Sequence, residues 1–198
     1  MKKYTSLIIT IIFCSTISSQ QRFSNLDVFD LQYVKDPQIA PNSSKIVYVR
    51  IKMDIMKDGK TTSIWIVDKD GNGHQKLTSN THNESSPRWS PDGKRIAFVS
   101  SSDDGNGSEI YMYWVETKQY SVISQLNKSP KNLKWSTSGK YIGFTMFIPD
   151  NVLSLVSAPK KPKDAKWAPP ARITDRLKHE SDGSGYMDKG FNHLFYIS

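Results

Sequence analysis

Three stretches of this chain repeat one another, and that repetition restricts its fold more than any other feature. "QIAPNSSKIVYVR" (38–50), "RWSPDGKRIAFVS" (88–100) and "KWSTSGKYIGFTM" (134–146) share one layout. Each has a large apolar residue, then a tight polar turn, then a basic residue and a short apolar run. Trp89 and Trp135 stand 46 residues apart, and Ile39 holds the same place 50 residues before Trp89. A second element follows at the same spacing: "SIWIVD" (63–68) and "EIYMYWV" (109–115), with Ile64 and Ile110 again 46 apart. Each is followed by a polar turn and a short strand-like run, "HQKLT" (74–78) and "YSVIS" (120–124).

β-Branched and aromatic residues suit a pleated, packed surface. Four short strands per unit at a period of 46 to 50 is the pattern of β-propeller blades. The run "IAFV" (96–99) does not alternate in polarity, so both faces of that strand are expected to be buried. A strand sandwiched between two blades meets that condition. Trp89, Pro91, Asp92 and Gly93, with Trp135 and Gly139 in the next copy, are read as structural residues of the repeat. The two tryptophans are expected in the packing between blades.

The run Asp68-Lys69-Asp70-Gly71-Asn72-Gly73 opens like a calcium-binding EF-hand loop. Such a loop also needs a bidentate Glu at its twelfth position and flanking helices. The twelfth position is Ser79, and the flanks read as strands. Asp-Gly and Asn-Gly are strong turn pairs because glycine accepts positive φ at low cost. The run is therefore read as a turn between the third and fourth strands of the first blade. His74, His82, His179 and His193 form no i,i+4 pair and have no cysteine partners, so no metal site is expected. No cofactor is expected either.

"RWSPDGKRIAFVSS" resembles the propeller repeat shared by TolB-like proteins and the prolyl oligopeptidase (S9) family of serine peptidases. Two further stretches are similar to the peptidases in particular. "LDVFDLQYVKDPQIAPNSSKIVYV" (26–49) looks like the family's lead-in: a short helix, placed here near 26–33, then "DPQ", then the first blade. "WAPPARITDRLKHESDGSGYMDKGFNHLFYIS" (167–198) is similar to a long third-blade insertion of acylaminoacyl-peptidase and dipeptidyl-peptidase-like members. The resemblance implies an N-terminal propeller that covers the active site of an α/β-hydrolase domain and admits only peptides. That domain's Ser-Asp-His triad cannot be carried over. A nucleophile elbow needs G-x-S-x-G, and in the nearest look-alike, Gly183-Ser184-Gly185, Asp182 stands where the first glycine should be. No catalytic residue is assigned. The insertion's polar tip, "HESDGSGYMD" (179–188), is where the resemblance places a substrate chamber, with Glu180, Asp182 and Tyr186 as its candidate lining.

The first residues are set apart from the fold. Lys2 and Lys3 precede an apolar stretch from Leu7 to Ile17, followed by Ser18 and Ser19. This reads as a signal peptide over 1–19, its apolar part too short to span a bilayer. The expected location is periplasmic or secreted, with no membrane contact after the signal is removed. The formal charge is +8. Much of it lies in "KKPKDAKWAPPARITDRLK" (160–178), a proline-bearing segment read as an extended, solvated insertion. Basicity confined to one exported loop argues against a nucleic-acid partner.

The expected organisation is a lead-in at 20–35, then a partial all-β propeller over 36–198. Blade one spans about 36–80, blade two about 86–125, and an incomplete blade three about 131–198 with an insertion at 150–190. Three functional readings stay open. The first is the substrate-gating propeller portion of an exported S9-type serine peptidase, non-catalytic without its hydrolase domain and meeting a peptide only within a full-length enzyme. The second is a TolB-like periplasmic protein-binding module, and the third a remnant without function. An open arc leaves blade faces uncovered, so self-association is expected.

Overall fold

The computed structural model describes residues 22–78, 82–101, 107–150, 159–168, 174, 176–183 and 185–198. The expected signal peptide at 1–19 lies outside them, as does Ser79. Among the described residues no helix is long and apolar enough to cross a membrane.

The lead-in forms a 3-10 helix, Asn25–Asp30, shorter than the helix expected over 26–33. Ser24 caps it: its side chain accepts from the Leu26 N–H, and Asp27 reaches back to the Ser24 N–H at 2.6 Å. Such reciprocal capping satisfies backbone donors at a helix start. The helix ends at Leu31 because the next residues, rich in Tyr and Val, enter strand β1.

Three antiparallel sheets follow in chain order. The first is β1 (Gln32–Ile39), β2 (Lys45–Asp54), β3 (Gly59–Asp68) and β4 (Gln75–Lys76). The second is β5 (Glu84–Trp89), β6 (Arg95–Ser101), β7 (Ser108–Trp114) and β8 (Gln119–Val122). The third has β9 (Lys131–Trp135), β10 (Ile142–Pro149) and β13 (Gly190–Ile197). A two-stranded ribbon, β11 (Glu180–Ser181) and β12 (Gly185–Tyr186), lies between β10 and β13 in sequence. In the first two sheets each strand pairs with the next in sequence, an up-and-down blade. The fold is thus a partial β-propeller of two four-stranded blades and a third with three described strands.

The blades stack through two cores. Ile96, Phe98 and Tyr113 of blade two pack with Trp89 on Val47, Ile64, Ile66 and Leu77 of blade one. Ala97, Val99, Ile110 and Met112, on the opposite face of blade two, pack on Leu133, Ile142, Phe144 and Met146 of blade three. Every residue of β6 from Ile96 to Ser100 is consequently buried, as the unbroken apolar run predicts. Burying a side chain such as Phe98 stabilises by roughly 1.5–3 kcal/mol. A slip of one residue in β6 would exchange its two faces, so the two dissimilar neighbours fix its register.

A hydrogen bond accompanies each stacking step. The Trp89 indole Nε1–H donates to the Gln38 carbonyl at 3.1 Å. The Trp135 indole donates to the Arg88 carbonyl at 3.0 Å. Each acceptor sits one residue before the equivalent position of the preceding blade. First strands also touch one another, β1 with β5 and β5 with β9, as strands that ring a common axis must. Replacing Trp135 by Phe keeps most of the ring but leaves the Arg88 carbonyl without its donor. The expected cost is about 1–2 kcal/mol in urea unfolding of the 198-residue chain; an unchanged midpoint would show that the tether contributes nothing.

Candidate functional site

The residues singled out in the repeat fall into one recurring turn, between the first and second strands of each blade. Its third position has positive φ in all three copies: Ser43 (56°), Gly93 (69°) and Gly139 (68°). Only glycine adopts this conformation cheaply, so the first copy, with Ser43, holds it against a steric cost. The preceding residue closes the turn. Asn42 Oδ1 accepts from the Ser44 N–H at 3.1 Å, Asp92 Oδ1 from the Lys94 N–H at 3.0 Å, and Ser138 Oγ from the Lys140 N–H at 3.4 Å. The second and third turns also rest on the blade before them: the space beside Gly93 is bounded by Pro41, and that beside Gly139 by Pro91 and Arg95. Arg95 donates to the Gly139 carbonyl at 3.1 Å and lies 5.0 Å over the Trp135 ring.

The Asp68–Gly73 run is the turn joining β3 to β4. The Asp68 N–H donates to the Asn72 carbonyl at 2.9 Å, and its carboxylate pairs with Lys45. Asp70 accepts from the backbone and side-chain N–H groups of Asn72, which hold its carboxyl below the ordinary range. Among the described residues no group of three His, Cys, Asp or Glu could hold a metal ion.

The candidate chamber residues lie on the β11–β12 ribbon. Glu180 and Tyr186 are cross-strand partners, as are Ser181 and Gly185. Gly183 (φ 71°) and Gly185 (φ 67°) supply the conformations of the turn, while Ser184 lies outside the described residues. An open cleft of about 520 Å³ is lined by Glu180, Ser181, Asp182, Gly183 and Gly185. Tyr186 does not line it; its ring stacks on His179, centroids 6.1 Å apart. Arg176 anchors the base of the ribbon by donating to the carbonyls of Met187 (2.6 Å) and Asp188 (2.9 Å). The Met187 N–H closes the ribbon on the His179 carbonyl at 2.8 Å. The cleft therefore offers two carboxylates as acceptors from a cation.

Two structural devices escaped the sequence reading. Asp36, Ser86 and Asn132 all have positive φ, each three residues before Ile39, Trp89 and Trp135, and each marks a register shift in its first strand. Asp-Pro at 36–37 and Ser-Pro at 86–87 were an available signal for such a break. The bulge also places Asp36 2.8 Å from Arg88 of the next blade, a half-buried ion pair. The second device is Glu84, fully buried, which accepts from the Ile64 N–H at 2.9 Å and from the Thr78 hydroxyl. Beside it, Asn83 Oδ1 accepts from the Thr62 N–H at 2.8 Å. Because β4 has only two residues, part of the β3 edge lacks a strand partner, and these side chains serve instead. In the next blade Ser124 takes the Ile110 N–H in the same way, at 2.8 Å.

Comparison with known proteins places this geometry. No family model matches the chain. It is 26% identical over 172 residues to the uncharacterized peptidase YuxL of Bacillus subtilis, covering 87% of this chain and 25% of that protein. It is 38% identical over 63 residues to dipeptidyl-peptidase 5 of Porphyromonas endodontalis, covering 31% of this chain and 9% of that one. The acylaminoacyl peptidase of Pyrococcus horikoshii shares its fold with a TM-score of 0.63 at 18% identity, over 85% of this chain and 23% of that structure. The chain resembles the propeller of prolyl oligopeptidase (S9) family peptidases. It spans about a quarter of YuxL's length. A shorter match, 37% identical over 82 residues, is to the Tol-Pal system protein TolB of Alcanivorax borkumensis, covering 39% of this chain and 18% of TolB.

Two outcomes follow for these residues. Asp92 is held below the ordinary carboxylate range, chiefly by the Ser90 hydroxyl and then by the Lys94 N–H. A depressed native value stabilises the fold above the unfolded value, near pH 4, and that contribution is lost as pH falls through the native value. Asp92→Asn keeps an acceptor in the turn, as Asn42 does in blade one, but cannot titrate. The stability difference between wild type and variant should therefore shrink between pH 5 and pH 3 in denaturant titrations. Arg176→Ala should release the ribbon, with faster hydrogen exchange at the Met187 amide and no change at β6 amides; equal protection in both proteins would show that Arg176 does not anchor it.

Proposed function

We propose that this chain is the N-terminal, substrate-gating propeller portion of an exported S9-type serine peptidase that acts on peptides, and that it is non-catalytic by itself. The observation that carries the reading is the match to the peptidase YuxL over 172 residues, 87% of the chain. The Lys-Lys start and the apolar stretch after it support export. Blades that restrict access to an active site discriminate by size, and the anchored ribbon adds a chemical criterion. On this reading Glu180 and Asp182 receive a cationic group of the peptide, such as its N-terminal ammonium, through charge-assisted hydrogen bonds.

The second reading, a TolB-like module that binds a protein partner, rests on the 82-residue match to TolB. Blade repeats alone can account for a match of that extent.

The deciding experiment is to sequence the DNA beyond codon 198, take the intact mass of the native product, and assay that product on peptide chromogens. The expected result is an open frame reaching a G-x-S-x-G elbow followed by Asp and then His, with hydrolysis abolished by replacing that serine. In that protein Glu180→Ala should raise KM roughly ten-fold with kcat little changed, the loss of one charge-assisted contact to bound substrate. A stop after Ser198 with a matching mass would overturn the peptidase reading and leave a binding module or a remnant, between which a pull-down for partners would decide.

A further inference from the structure

The insertion of blade three leaves β10 at Pro149 and returns to β13 at Gly190, two residues paired across the strands. It takes the place of the short connections from Asp54 to Gly59 in blade one and from Ser101 to Ser108 in blade two. Blades stack through the faces of their sheets. The insertion leaves from the ends of its strands instead, so its surface is not one that blade stacking uses.

One turn of this insertion gathers four cations. The Ala165 N–H donates to the Pro162 carbonyl at 3.3 Å, closing a β-turn over Lys163 and Asp164. Asp164 adopts a positive φ of 65° there, a conformation that aspartate tolerates better than most residues. Lys160, Lys161, Lys163 and Lys166 all stand exposed around the turn. Among the described residues none of these four lysines forms an ion pair. Trp167, next to Lys166, is 49% exposed. Pro159 and Pro162 each fix one backbone angle, so less freedom is lost when a ligand binds.

Four ammonium groups at one turn attract anions at long range and donate charge-assisted hydrogen bonds at contact. An ammonium on a flexible stem is a point charge, not the planar fork of arginine. A set of them fits several carboxylates spaced along a flexible chain. The cleft of the same insertion, with Glu180 and Asp182, carries the opposite charge. The insertion thus complements a peptide with an ammonium at its start and carboxylates further on. An anionic bilayer fits less well, because the two carboxylates would repel it.

We propose that the turn bearing Lys160, Lys161, Lys163 and Lys166 binds acidic side chains of the peptide, so that the preferred substrates carry a free N-terminus followed by Asp or Glu. The role in substrate choice rests on the peptidase reading; the affinity of the turn for an acidic peptide does not.

The test uses the native gene product, with its nucleophilic serine replaced if it hydrolyses peptides. Two peptides of equal length carry a fluorophore at the C-terminus and a free N-terminus. One has Asp and Glu where the other has Ser and Gln. Fluorescence anisotropy should show the acidic peptide bound about ten-fold tighter at low salt, with the preference lost at high salt. A variant combining Lys160→Ser, Lys161→Ser, Lys163→Ser and Lys166→Ser, its folding checked by circular dichroism, should lose that preference and keep its affinity for the neutral peptide. In an active product the same four changes should raise KM for acidic peptides alone, with kcat unchanged. Equal binding of the two peptides, or a preference that survives the four changes, overturns the proposal. Hydrolysis of both peptides with equal kcat/KM, unaltered in the variant, overturns it while the peptidase reading stands. A lysine-dependent preference in a product without hydrolysis supports the acidic-peptide site while the peptidase reading falls. Tighter, lysine-dependent binding to phosphatidylglycerol vesicles than to the acidic peptide overturns the proposal and assigns the turn to a membrane surface.

Discussion

The structure depends on one strand, β6, being buried on both faces. Its side chains alternate between two neighbouring blades, so neither core can form without the other blade's contribution. Apolar burial supplies the driving force, which is non-directional. Direction comes from the indole tethers of Trp89 and Trp135, each tied to a carbonyl of the preceding first strand. A ring that can donate only one hydrogen bond, aimed at one acceptor, sets the angle at which blades stack. The turn glycines pressed against the prolines of the preceding blade repeat that setting at a second point.

This scaffold explains how a polar ribbon can be held out from a sheet. The insertion departs from β10 and returns in β13, a pair in register over eight residues. Asp150 and Lys189 close its base through a backbone bond of 3.0 Å, and Arg176 clamps the carbonyls just after the ribbon. The acidic cleft is thereby tied to the most regular strand pair of blade three. On the proposed reading, a ribbon anchored in this way would hold its carboxylates in place for a ligand.

Much of the architecture was legible in the chain. The 46-residue spacing of Trp89 and Trp135, the non-alternating run at 96–99 and the Pro-Asp-Gly turn each state a physical requirement that a single strand or turn must meet. The helix near 26–33 is shorter in the structure, Asn25–Asp30, because the pull of the following strand is not visible in the helix's own residues. The first-strand bulges at Asp36, Ser86 and Asn132 were missed because three different residues fill one conformational role. Glu84 was missed for a different reason: a buried carboxylate looks, in sequence, like any solvated one. The grouping of Glu180 and Asp182 in one cleft follows from their nearness in the chain, while the turning of Tyr186 away onto His179 does not.

The sequence alone determined the repeat, the strand count per blade and the turn chemistry, because these are local: they depend on spacing, on side-chain alternation and on which residues accept positive φ. Tertiary structure decided which faces meet. Asn83 and Glu84 serve the edge of a strand some twenty residues earlier, and Arg88 pairs with a bulge fifty-two residues away. Local preference gives each strand two possible faces, and only a neighbouring blade distinguishes them.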